Sequence, residues 1–118
     1  MLLKFKKIIG KGKFIGITPA ISGSVKSRMW PLENMAKIID YLIKKGYKIV
    51  IIENKENKQK VDELISLSDN KDKILDFTGK TTWKESVCLI SLCDIYISND
   101  TGPLHVAAAQ GIKTIGLF

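Results

Sequence analysis

Histidine, cysteine and arginine are nearly missing from this 118-residue chain, and each scarcity removes a class of function. One histidine (His105) and two cysteines (Cys88 and Cys93), with no Cys-x-x-Cys pair, argue against a zinc site. Both cysteines read as reduced core thiols of a cytoplasmic protein. No apolar run reaches transmembrane length. The opening MLLKFKKIIGKGK is not a signal peptide, because its apolar stretch is short and interrupted by lysines. A GxxxxGK[ST] phosphate loop is absent and the first loop carries no GxGxxG, which weakens the Walker-type and standard nicotinamide-binding readings. Internal repeats and low-complexity segments are also lacking.

What is present suits one domain with a sizeable core: 45% of the residues are hydrophobic, which argues against disorder. The net charge of +7 is unevenly placed. Five of the nineteen basic residues (Lys4, Lys6, Lys7, Lys11 and Lys13) fall in the first thirteen positions with no acid among them. From Phe14 onward, fourteen basic residues face twelve acidic ones, so the body is no basic nucleic-acid surface. Residues 1–13 fit a linker, an edge strand or a membrane-surface contact; the expectation is a solvated basic arm, with the domain proper spanning 14–118.

Short β-branched runs alternate with segments of helical period. FIGIT (Phe14–Thr18), YKIVII (Tyr47–Ile52), KILDF, DIYIS (Asp94–Ser98) and KTIGLF read as five strands. In LENMAKIIDYLIKK, Leu32, Met35, Ala36, Ile39, Leu42 and Ile43 form one apolar stripe, with Pro31 suited to the first turn and Gly46 to the end. Lys55–Leu67 is expected as a second helix. A third starts at TWKE (Thr82–Glu85), which has capping-box spacing, and a short one covers Gly102–Gln110. Strict alternation with short connections predicts an α/β fold: a Rossmann-like, doubly wound parallel sheet of order 3-2-1-4-5. Such sheets bind ligands beyond the carboxyl ends of the strands where the order reverses, here between the first and fourth strands.

Asp100-Thr101-Gly102 falls at that junction, inside SNDTGPLHVAAAQG. A helix start offers free backbone N–H groups to an anion, Gly102 permits close approach, Thr101 adds a hydroxyl and Asp100 an acceptor for sugar hydroxyls. The ordinary alternative is a simple helix cap. Ala107, Ala108 and Ala109 let the short helix lie close on the sheet. His105 lies on its first turns, where a lone histidine is more often a packing residue than a catalyst. Arg28, the only arginine beside eighteen lysines, lies in the first loop with Gly23 and Ser24, where a guanidinium suits bidentate phosphate recognition. Glu56, with Glu53 as competitor, follows the second strand where an acid can hold ribose hydroxyls. Trp30 and Trp83 are expected to pack.

Together RMWPLENMAKIIDYL and TGKTTWKESVCLISLCDIYISNDTGPLHVAAAQGIKTIGLF, in this order and spacing, resemble glycosyltransferase family 9, the heptosyltransferases of lipopolysaccharide core assembly. The resemblance covers Phe14 to Phe118. It implies one half of a GT-B enzyme, the C-terminal domain that binds the nucleotide sugar, with ADP-heptose or a relative as donor, a lipid-linked saccharide as acceptor, inversion at the transferred carbon and no required metal or cofactor. By that likeness Asp100 holds sugar hydroxyls, Thr101 and Gly102 with Ser24 the diphosphate, Glu56 the ribose, and the loop Gly79–Thr82, with Thr81, the edge of adenine. Arg28 stands where many members have lysine, His105 matches the family histidine, and the glycines usual before the acid are replaced by ENK. The resemblance further implies a cytoplasmic location at the inner face of the inner membrane. The catalytic base and acceptor site would belong to an N-terminal domain outside this chain, leaving it inactive alone and truncated beyond its last strand. The competing expectation is a non-catalytic α/β binding module of the same fold.

Overall fold

The computed structural model describes residues 2–10, 12–19, 32–99 and 111–117. The elements are α1 (Leu2–Ile9), β1 (Lys13–Thr18), α2 (Leu32–Lys44), β2 (Tyr47–Ile51), α3 (Lys58–Ser66), β3 (Ile74–Asp76), α4 (Trp83–Ser91), β4 (Ile95–Asn99) and β5 (Lys113–Leu117). Among the described residues all strand pairs are parallel, in the order β3-β2-β1-β4-β5. The expected topology is therefore the observed one.

Both faces of the sheet are covered, and the period-2 alternation of each strand decides which side chain goes where. Ile15, Ile17, Ile49, Ile51 and Ile97 point to one face and pack with Met35, Ala36 and Ile39 of α2 and Val61 and Leu64 of α3. Phe14, Val50 and Tyr96 point to the other, against Leu89 and Ile90 of α4 and Phe5 of α1. Each fully buried aliphatic side chain contributes about 1.5–3 kcal/mol, so these isoleucine rows dominate the stability of the sheet centre. α2 ends as its composition suggests: Gly46 takes φ +97°, and its N–H donates to the Ile43 carbonyl at 3.0 Å.

The starts of β1 and β4 are pinned by one acid. The Phe14 amide donates to Asp94 Oδ2 at 2.8 Å, and the Asp94 amide donates to the Phe14 carbonyl at 2.8 Å. Since β1 and β4 are the strands where the order reverses, this clamp fixes the register that positions their carboxyl ends.

The basic segment departs from the sequence expectation. It is not a solvated arm: Leu2–Ile9 is a helix, and β1 already begins at Lys13. Phe5 is 2% exposed and meets Phe77 edge-on, with ring centroids 6.1 Å apart. Lys4, Lys6 and Lys7 remain in solvent, and Lys4 Nζ lies 3.4 Å from Glu85 of α4. Apolar positions between lysines make an amphipathic helix, and the aromatic anchor outweighs the charge run that suggested solvation. A smaller difference concerns Lys55–Leu67, which opens as a 3-10 turn at Lys55–Asn57 before α3.

Candidate functional site

Thr18, Glu53, Asn57, Thr78 and Ser98 are buried polar residues, and all five sit at or just past the carboxyl ends of β1, β2, β3 and β4. Buried polar groups need partners, so their concentration on one edge marks where the core gives way to a polar surface. That edge includes the β1/β4 junction. The sixth buried polar residue among those described, Ser68, lies elsewhere; it donates to Asp40 of α2 at 2.5 Å.

At the junction, Thr18 is paired in register with Ser98, and Gly16 with Tyr96. The Tyr96 ring lies over Gly16: a Cβ added there would stand 2.9 Å from Tyr96 Cδ1 and 3.0 Å from Cys93 Sγ. Tyr96 is fully buried and its hydroxyl is hydrogen-bonded to Thr18 Oγ1. Thr18 Oγ1 in turn donates to the Ile52 carbonyl at 2.7 Å. Burial pushes the Tyr96 phenol up to about 12 against the pull of the Thr18 and Ser98 hydroxyls, with the Glu53 charge adding to the rise. Tyr96 is therefore a neutral donor across the physiological range.

Past β2, the backbone continues to pair with the residues after β3. The Phe77 amide donates to the Ile51 carbonyl at 2.9 Å, and the Gly79 amide to the Glu53 carbonyl at 2.9 Å. Gly79 adopts φ +67°, and a Cβ on it would come within 2.9 Å of Lys55 Cβ and 3.1 Å of Lys55 Cα. Only glycine gives both that turn and that proximity. Glu53 is buried and engaged: Oε1 accepts from the Asn54 amide at 3.1 Å and from Asn57 Nδ2 at 3.0 Å. Glu56, on the adjoining turn, is exposed. Asp76, at the end of β3, accepts from Lys58 Nζ at 2.5 Å and from the Thr78 amide at 2.9 Å. Burial opposes ionisation of Asp76, but these donors outweigh it and hold the carboxyl below its ordinary range. The buried Thr78 hydroxyl sits near that carboxylate without a hydrogen bond of normal geometry.

The start of α4 carries the expected capping box. Thr82 Oγ1 accepts from the Glu85 amide at 3.2 Å, and Glu85 Oε1 accepts from the Thr82 amide at 3.1 Å. Thr81 Oγ1 pairs with Ser86 Oγ at 2.7 Å. Trp83 does not pack as expected: it is 56% exposed, and the buried residues of α4 lie further along, at Leu89 and Ile90.

Of the residues singled out from sequence, Glu56, Gly79, Thr81 and Thr82 thus share the carboxyl edge over β2 and β3. Ser24, Arg28, Asp100, Thr101, Gly102 and His105, together with Trp30, Pro31 and the helix expected at Gly102–Gln110, lie outside the described residues. Cys88 and Cys93 are free thiols, the first half-buried and the second buried; burial pushes Cys93 up to about 12. Sequence reading missed Thr18, Tyr96, Ser98 and Thr78. The available signal was a hydroxyl residue closing two otherwise apolar strands, in FIGIT and DIYIS. Among the described residues no cluster of His, Cys, Asp and Glu could hold a metal ion, and no helix is long and apolar enough to cross a membrane.

Residues 3–118 match the model of glycosyltransferase family 9 (heptosyltransferase). The chain belongs to glycosyltransferase family 9. Over 99% of its length it is 29% identical to lipooligosaccharide heptosyltransferase 2 of Haemophilus influenzae, covering 35% of that protein. Over 98% it is 30% identical to lipooligosaccharide heptosyltransferase 2 of Campylobacter jejuni, covering 38% of that protein. The fold matches that of the E. coli ADP-heptose LPS heptosyltransferase II with a TM-score of 0.89 at 22% identity, over 98% of this chain and 36% of the other. The chain therefore spans little more than a third of the length of these relatives.

Proposed function

We propose that this family 9 chain binds the nucleotide-sugar donor, ADP-heptose or a close relative, for an inverting glycosyl transfer. The observation that supports this most is the gathering of buried polar side chains along the carboxyl edge of β1, β2, β3 and β4, the edge at which doubly wound sheets take nucleotides. On this reading Ser24, Arg28, Thr101 and Gly102 hold the diphosphate, Asp100 the sugar hydroxyls and Glu56 the ribose. The turn Gly79–Thr82 borders the adenine, and His105 lies beside the donor. The Glu53 carboxylate is occupied with shaping the turn after β2, which leaves the exposed Glu56 as the acid presented to a ligand. Arg28 and the helix-start amides would favour the negative charge that grows on ADP as the bond from the anomeric carbon to phosphate breaks. The catalytic base and the lipid-linked acceptor would come from the rest of a longer protein, so that this chain alone binds without transferring. The same proposal carries a cytoplasmic setting with peripheral contact at the inner membrane.

The test is an amide chemical-shift titration of the chain with ADP. Shifts should cluster at Ser24, Arg28, Glu56, Gly79–Thr82 and Thr101–Gly102, and Arg28→Ala should weaken binding about tenfold, the loss expected for one charge-assisted contact. If millimolar ADP moves none of these amides, the donor-binding reading fails and the non-catalytic module takes its place.

A further inference from the structure

Three polar atoms run in a line across the carboxyl ends of the central strands. Tyr96 comes from β4, Thr18 from β1, and the Ile52 carbonyl stands directly after β2. Thr18 has one hydroxyl proton and gives it to Ile52, so the phenol of Tyr96 must be the donor to Thr18 Oγ1. The line is directional, and the Ser98 hydroxyl also meets the Tyr96 phenol. It lies under the point where the strand order reverses: Thr18, its middle member, is followed directly by Pro19, and Tyr96, at one end, stands two residues before Ser98. The ring cannot be displaced cheaply, because Gly16 and Cys93 enclose it. A phenylalanine and a valine would fill the same volume, so packing alone does not call for these hydroxyls. What they add is a fixed spacing between two strand ends, since a satisfied buried network permits few alternative geometries.

We propose that Tyr96, acting through Thr18, is a positioning residue that sets the separation of the β1 and β4 ends on which the diphosphate-binding groups are carried. This rests on the donor-binding reading above. Neither side chain touches the ligand; their effect is transmitted through the two strand termini.

The experiment compares Tyr96→Phe, Thr18→Val, Thr18→Ser and the double variant Y96F/T18V. Calorimetric titration with ADP is run at a temperature where circular dichroism shows each to be folded. Y96F and T18V should each weaken ADP about tenfold, because the strand ends must then be brought to the binding separation as ADP binds. T18S keeps the hydroxyl and should restore affinity to within about twofold of the parent. The double variant should bind no worse than either single one, because both remove the same bracket. A folded Y96F with parental affinity, or losses that add in full, overturns the proposal. A second readout separates it from the donor-binding reading: amide exchange at Ser98 and Asn99 should quicken in Y96F without any ligand. Should the parent chain not bind ADP, that reading fails. Faster exchange would then still support the bracket, and unchanged exchange would overturn it.

Discussion

Gly16 shows how one residue type can be dictated by a neighbour on another strand. It sits mid-strand, where glycine is ordinarily unfavourable, and φ is not the reason. The Tyr96 ring and Cys93 Sγ occupy the space its Cβ would need, at 2.9 and 3.0 Å. Gly16→Ala should therefore cost about 1–3 kcal/mol, the usual penalty for overpacking a closed core, read from urea denaturation at constant m-value; a neutral result would mean that the ring can move aside. Period-2 reasoning could place Gly16 on the same face as Thr18 from sequence, but not Tyr96 above it, since that contact needs the β1/β4 register. The same limit applies to Glu53 and Glu56. Their spacing after β2 left both eligible for the ribose, and only the hydrogen bonds from Asn54 and Asn57 showed which carboxylate is already used.

Elements were legible where pattern and capping agreed, and obscured where charge masked an anchor. Thr82-x-x-Glu85 announced α4 because a capping box is a local device whose partners are three residues apart. α1 was hidden because its lysines outnumber the one aromatic that docks it, and docking depends on Phe77, far along the chain. Phe5→Ala should accordingly cost about 3–5 kcal/mol, as for other buried phenylalanines, whereas Lys6→Ala should change stability by less than about 0.5 kcal/mol. Equal effects in thermal unfolding would show that α1 is not part of the cooperative unit. Between elements, Asp76 joins the end of β3 to Lys58 of α3. Its folded-state pKa lies below the ordinary 3.8, and that of Lys58 above 10.5 through its bonds to Asp76 and Asp62. The carboxylate's contribution is thus present above pH 3.8 and is lost as pH falls through the depressed value. The ammonium's is present below pH 10.5 and is lost as pH rises through the elevated one. Asp76→Asn should be less stable than the parent at neutral pH, and the gap should close as pH falls below 3.8 through the depressed carboxyl value. A gap that stays constant over that range would assign the loss to packing instead of charge.

At the scale of the whole molecule, βα alternation carried the topology, because right-handed crossovers leave few arrangements of five parallel strands. The order 3-2-1-4-5 then located the candidate edge before any contact was known. What alternation could not supply was the polar lining of that edge, which is assembled from residues 18 to 98 and has no local spacing. Net charge also acts at this scale and sets a condition on ligand tests. At +7 the folded chain repels itself, so polyanions will raise its melting temperature merely by screening. A ligand that occupies the edge adds a separate term, set by its dissociation constant, that grows with the logarithm of its concentration. At ten times the dissociation constant it stabilises by about 1.4 kcal/mol, or roughly 5 °C for a domain of this size. ADP should produce that rise in excess of inorganic pyrophosphate at matched ionic strength. The excess should vanish in the Glu56→Ala, Arg28→Ala double variant, whose screening response is otherwise preserved. If pyrophosphate and ADP raise the melting temperature alike at every concentration, and the double variant follows both, then charge alone accounts for the effect and the edge does not read the nucleoside.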